Sequence, residues 1–119
     1  MKLHLENLPP SLQKESGVLE RCLIAMNQAL PIKQVLLFGS HARGDARQDS
    51  DVDLCLVSES AGEQLKASRV FRNAIWEVRD CPAFTLLPIT PQRLREKRES
   101  GDHFFKTVLN EGVELANEN

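Results

Sequence analysis

Apolar side chains recur at Leu12, Leu19, Leu23, Met26 and Leu30, with Cys22 beside them, the spacing of one buried helix face. Pro9-Pro10-Ser11 punctuates the start of that helix and Pro31 ends it. The run Ile32-Lys33-Gln34-Val35-Leu36-Leu37-Phe38 is rich in branched and aromatic residues and bounded by Pro31 and Gly39, which predicts a largely buried strand. Residues 40–50 are small and polar, a short helical turn followed by a loop. Val52, Leu54 and Leu56 then alternate with Asp51, Asp53 and Cys55, the period of a half-buried strand that ends at Val57.

Ser58 to Gly62 turn the chain into a second long helix with Ala67, Val70, Phe71, Ala74, Ile75 and Val78 on one face. Cys81-Pro82 breaks it. Ala83-Phe84-Thr85-Leu86-Leu87-Pro88-Ile89 is a third strand, and its internal Pro88 predicts a strand end or a sheet edge. Thr90-Pro91 is an N-cap followed by proline at the first helical position. Ser100-Gly101-Asp102 restarts a helix carrying Phe104, Phe105, Val108 and Leu109, with Gly112 as its stop and Val113-Glu114-Leu115 as a short final strand. The order implies an α/β (α+β) fold, a small mixed β-sheet flanked by helices, in one domain over residues 1–119.

Composition narrows the class. Hydrophobic residues make up 41% and charged residues 27%, the balance of a globular protein with its own core. A formal net charge of −2 gives no strong nucleic-acid signal, because coating nucleic acid needs a basic excess. Cys22, Cys55 and Cys81 are scattered and odd in number, which reads as reduced thiols rather than a disulfide framework. No run approaches a membrane span and no signal peptide is apparent, so the expectation is a cytoplasmic protein.

The chemistry concentrates in Phe38-Gly39-Ser40-His41-Ala42-Arg43-Gly44 and Ser50-Asp51-Val52-Asp53-Leu54. Glycine at a strand end lets the backbone turn sharply and a ligand approach closely. If a helical turn opens at Ser40, its free N–H groups favour negative charge, the Ser40 hydroxyl can donate to a phosphate oxygen, and Arg43 can pair with it. Asp51 and Asp53 stand at positions i and i+2 of a strand and so project from one face. Two such carboxylates about 5 Å apart repel by roughly 3–4 kcal/mol at an effective dielectric near 20, which a divalent cation relieves. Mg²⁺ suits the pair, since it takes one or two carboxylates together with substrate phosphates.

Gly39-Ser40 followed by Asp51-Val52-Asp53 resembles the signature of the nucleotidyltransferase superfamily that includes DNA polymerase beta, and the fuller string is similar to its minimal, single-domain branch. The resemblance implies the nucleotidyltransferase fold and transfer of a nucleoside monophosphate, AMP from ATP, to a hydroxyl acceptor. It implies that Gly39, Ser40 and Arg43 bind the nucleoside triphosphate and that Asp51 and Asp53 are the catalytic, metal-binding acids. It also implies a helical HEPN-type protein as partner, with this chain as the antitoxin half of a toxin–antitoxin pair.

In the family a third carboxylate on a later strand completes the metal site, and here Thr85 stands at that place, with no acid from Cys81 to Arg93. Glu77 and Asp80 are the nearest upstream acids. An alternative is therefore a catalytically weak or inactive nucleotide-binding or partner-binding module. His41 could touch phosphate or base, or be a variable loop residue. Arg93, Arg95, Lys97 and Arg98 alternate with Glu96 and Glu99 as a solvated helix face, and Trp76 packs or borders an interface.

Overall fold

In the computed structural model, which describes residues 1–118, a five-stranded sheet carries helices on both faces. The strands are β1 (Lys2–Leu3), β2 (Gln34–Phe38), β3 (Val52–Val57), β4 (Phe84–Ile89) and β5 (Val113–Asn117), in the spatial order β1-β5-β2-β3-β4. Only β3 and β4 run parallel; the other neighbours are antiparallel. The helices are α1 (Ser16–Ala29), α2 (Ser40–Arg43), α3 (Gln64–Ala74), α4 (Pro91–Ser100) and α5 (His103–Glu111). A mixed sheet flanked by helices is the architecture that the apolar pattern predicts.

Alternation along the strands splits the interior in two. Val35 and Leu37, with Val52, Leu54 and Leu56 and with Phe84 and Leu86, face α1 and α3, where Leu19, Leu23, Met26 and Phe71 close the larger core. Leu36, Phe38, Cys55, Val57 and Ile89 face the other way, against Leu94 of α4 and Phe105 and Val108 of α5. Burial pushes the thiols of Cys22 and Cys55, one in each core, up to about 12, so both stay protonated.

Local boundaries differ from expectation where the backbone changes its hydrogen-bonding step. The first apolar helix opens as a 3₁₀ segment over Pro10–Glu15 and becomes α-helical only at Ser16. α3 stops at Ala74, because Ile75, Trp76 and Val78 donate to carbonyls three residues back. Ile75 stays in the core while Trp76 is 85% exposed and does not pack. Asp80 then reverses the chain at φ +63, a conformation Asp tolerates.

β4 is a sheet edge, as Pro88 requires. Ala83 and Ile89 direct their carbonyls to the β3 side, to Val52 and Ser58 N–H, so the main-chain groups of the even-numbered residues face outward. Two outward carbonyls are taken by α3: Arg72 donates to Phe84 O at 3.2 Å and Gln64 to Pro88 O at 2.8 Å. Pro88 itself has no N–H to leave unpaired.

Candidate functional site

The site forms where β2 ends against the start of β3. Phe38 is the last residue of β2 and lies opposite Asp53. Gly39 then turns at φ +79 and ψ −156, a conformation that disfavours any side chain, and a Cβ built there would overlap the Asp53 carboxylate. The glycine is thus needed twice, for its backbone angle and for the space it leaves.

Ser40 opens α2, and Gly44 at φ +86 closes it after one turn, with Gly44 and Asp45 both donating to Ser40 O at 3.0 Å. Among the described residues the Ser40 hydroxyl makes no hydrogen bond. The first N–H groups of so short a helix have no intrahelical acceptor. Gly44 therefore acts through its backbone, since open space surrounds it.

Asp53 shares the sheet face that carries Cys55 and Val57, the face covered by α4 and α5, while Asp51 lies one residue before β3 and is exposed. β4 runs parallel to β3 in a register that sets Thr85 beside Asp53, and the Thr85 hydroxyl donates to Asp51 Oδ2 at 3.2 Å. Thr85 consequently stands beside both carboxylates, at the place read for it from the sequence. Glu77 and Asp80 are exposed in the turns after α3.

Burial holds the Asp53 carboxyl above the usual carboxylate range, and the Asp51 charge adds to the rise. The Thr85 hydroxyl, His41 and Arg43 pull the other way. Two carboxylates and a hydroxyl placed together fit a single divalent cation completed by phosphate and water oxygens. Among the described residues, no group of three or more His, Cys, Asp or Glu side chains is arranged to hold a metal.

Arg43 does not stand free over the turn. Its Nε donates to Asp45 Oδ2 at 3.2 Å and its Nη1 to Glu111 Oε1 at 3.4 Å, and Asp45 in particular keeps the guanidinium firmly charged. Glu111, the last residue of α5, also accepts the Gly39 N–H at 2.9 Å through the same oxygen. Nothing in the linear sequence singles Glu111 out, because its partners lie 68 and 72 residues away.

His41 is turned inward and 7% exposed. Its Nδ1 lies 2.8 Å from Ser11 Oγ and its Nε2 3.4 Å from the Ser50 carbonyl. A carbonyl can only accept, so Nε2 donates towards Ser50 O, while the Ser11 hydroxyl pairs with Nδ1. This histidine braces the loop before β3 to the segment before α1.

The sequence model of the nucleotidyltransferase domain matches residues 19–114, most of the chain, with Gly39, Ser40, Arg43, Asp51, Asp53, Thr85 and Glu111 inside it. Comparison with curated proteins finds no match. Among solved structures, a provisionally assigned nucleotidyltransferase from Sulfolobus solfataricus is similar, with 20% identity, 76% of each chain covered and a TM-score of 0.46.

Proposed function

The chain belongs to the nucleotidyltransferase domain family, and from that premise we propose that it transfers AMP from ATP to a hydroxyl acceptor with Mg²⁺: the acceptor oxygen bonds to the α-phosphorus, the α–β phosphoanhydride bond breaks, and pyrophosphate leaves. The observation that carries the reading is the convergence of Asp51, the residue before β3, and Asp53 within it beside Thr85, with side-chain-free Gly39 against Asp53. Structural convenience explains it poorly, since the two like charges repel and burial already disfavours the Asp53 carboxylate.

Asp51 and Asp53 would hold the cation, which when bound supplies charge neutralisation at the transferring phosphoryl group. Gly39 makes the turn and leaves room for the Asp53 carboxylate, and the Ser40 hydroxyl and the open N–H groups of α2 meet the triphosphate oxygens. Arg43 offers the positive charge for the remainder. Thr85 hydrogen-bonds Asp51 and orients it, but its hydroxyl accepts no proton at neutral pH. The acceptor hydroxyl must therefore lose its proton to water or bring its own base.

The acceptor in this proposal is a hydroxyl of a helical HEPN-type protein, with the present chain as the antitoxin. That part follows from the resemblance of the Gly-Ser and Asp-x-Asp string to the minimal branch. It is compatible with the apolar surface at Phe104, 52% exposed and edge-on to Phe38.

A second reading is favoured by Thr85: a nucleotide-binding module that binds Mg²⁺–ATP and turns over weakly or not at all. One experiment separates the two. Labelled ATP and Mg²⁺ are incubated with the protein, with and without the protein encoded beside it. Label on the partner, lost in Asp51→Asn and Asp53→Asn, is the expected result. Mg²⁺-dependent ATP binding without transfer selects the binding module, and transfer that survives both substitutions overturns the site.

A further inference from the structure

Glu111 is the least expected acid near the site. Asp45 and Glu111 bind the single Arg43 guanidinium, Asp53 lies within its electrostatic reach and Asp51 adjoins Asp53, so a binding place for a polyanion is built with an excess of negative charge. Asp45 and Asp51 are exposed, but the Glu111 side chain is only 16% exposed and its contacts are specific. An acid kept in that position must supply something that its repulsion of phosphate does not cancel.

Its two contacts differ in kind. The bond from Gly39 N–H is short, 2.9 Å, and falls at the first residue beyond the β2–β3 ladder, where the strand no longer supplies an acceptor. Without Glu111 that half-buried donor has no protein partner, and the turn that sets Gly39 against Asp53 loses its tie to α5. The contact from Arg43 is longer, 3.4 Å, and reaches a side chain that is 48% exposed and already bound to Asp45. One arm is an anchor and the other is an exchangeable ion pair.

We propose that Glu111 is the positioning residue of this site. Its carboxylate fixes Gly39 through the backbone N–H, and it holds Arg43 in reserve until the triphosphate takes its place on the guanidinium. Phosphate competes well for that guanidinium, which offers a fork of donors to either anion. The Gly39 bond persists through the exchange, so the turn keeps its shape while the arginine changes partner. This rests on the nucleotide reading for the exchange, but not for the anchor.

Two substitutions part the two arms. Glu111→Gln keeps an oxygen for Gly39 N–H and removes the charge that competes for Arg43. Glu111→Ala removes both. Mg²⁺–ATP affinity is expected to rise roughly two- to fivefold in Glu111→Gln, the size of one exposed like-charge contact. It is expected to fall about two- to fivefold in Glu111→Ala, where the lost hydrogen bond at the Gly39 donor, about tenfold, is partly offset by the same relief of charge. Opposite signs are the signature, because a merely structural role moves both variants the same way.

Amide hydrogen exchange at Gly39, measured without nucleotide, reads the anchor alone. Protection retained in Glu111→Gln and lost in Glu111→Ala supports it; equal protection in all three proteins overturns it. Weaker ATP binding in both variants, or no change in either, overturns the exchange. If the unaltered protein binds no Mg²⁺–ATP while the exchange pattern at Gly39 holds, the nucleotide reading and the partner exchange fall together and the anchor stands.

Discussion

Asp53 lowers the stability of the fold that holds it. Burial raises its folded pKa above the unfolded value, so the stability it allows is complete below the unfolded pKa and is lost as pH rises through the folded one. Asp53→Asn removes that loss. At pH 7 the variant is expected to be more stable by a few tenths to about 1 kcal/mol, since the group is partly solvated. Calorimetry at pH 7 and again near pH 4 checks the sign, because the advantage shrinks in acid. Thr85→Asp should act in the reverse sense: a lower metal-free Tm, by a few degrees, from a third like charge beside Asp51 and Asp53. Mg²⁺ titration should then give a larger rise in Tm than in the unaltered protein. Gly39, Asp51 and Asp53 were legible because local spacing and strand parity bring them together, whereas Thr85 was read only from the resemblance of its strand to the family's. Glu111 was not legible, since an acid at a helix end acquires meaning only when α5 is docked beside β2.

At the scale of elements, the caps of α4 and α5 were the legible parts, whereas β2 starts two residues later than expected, at Gln34, and β5 runs on to Asn117. Thr90 accepts the Arg93 N–H at 3.1 Å and Pro91 follows at the first helical position of α4. Thr90→Ala should cost about 1 kcal/mol in chemical denaturation, while Thr90→Ser retains most of it. Asp102 caps α5 in the same way, and the Phe105 N–H, with Lys97, pulls its carboxyl below the usual range. That stability is present above the unfolded pKa and is lost as pH falls through the folded one. Periodicity alone missed the early end of α3, because Ile75 and Val78 keep the core-facing spacing on a backbone that has changed to i→i+3 bonds. β1 escaped notice because two residues, Lys2 and Leu3, carry no pattern and gain their identity only by pairing with β5.

At the scale of the molecule, the apolar pattern specifies two cores but not the order in which strands lie. Leu36 and Leu37 point to opposite faces and satisfy both helix layers equally well in several arrangements. What decides the order is the crossover of α3, which brings β4 back parallel to β3 and thereby places Thr85 beside Asp53. The same helix seals the outer side of β4 through Arg72 and Gln64, beside a proline with nothing to donate. A strand from another molecule finds no continuous main-chain template on that side. Concentrated solutions are thereby guarded against edge-to-edge zippering there, and whatever associates with this flank must be chosen by the shape and charge of side chains.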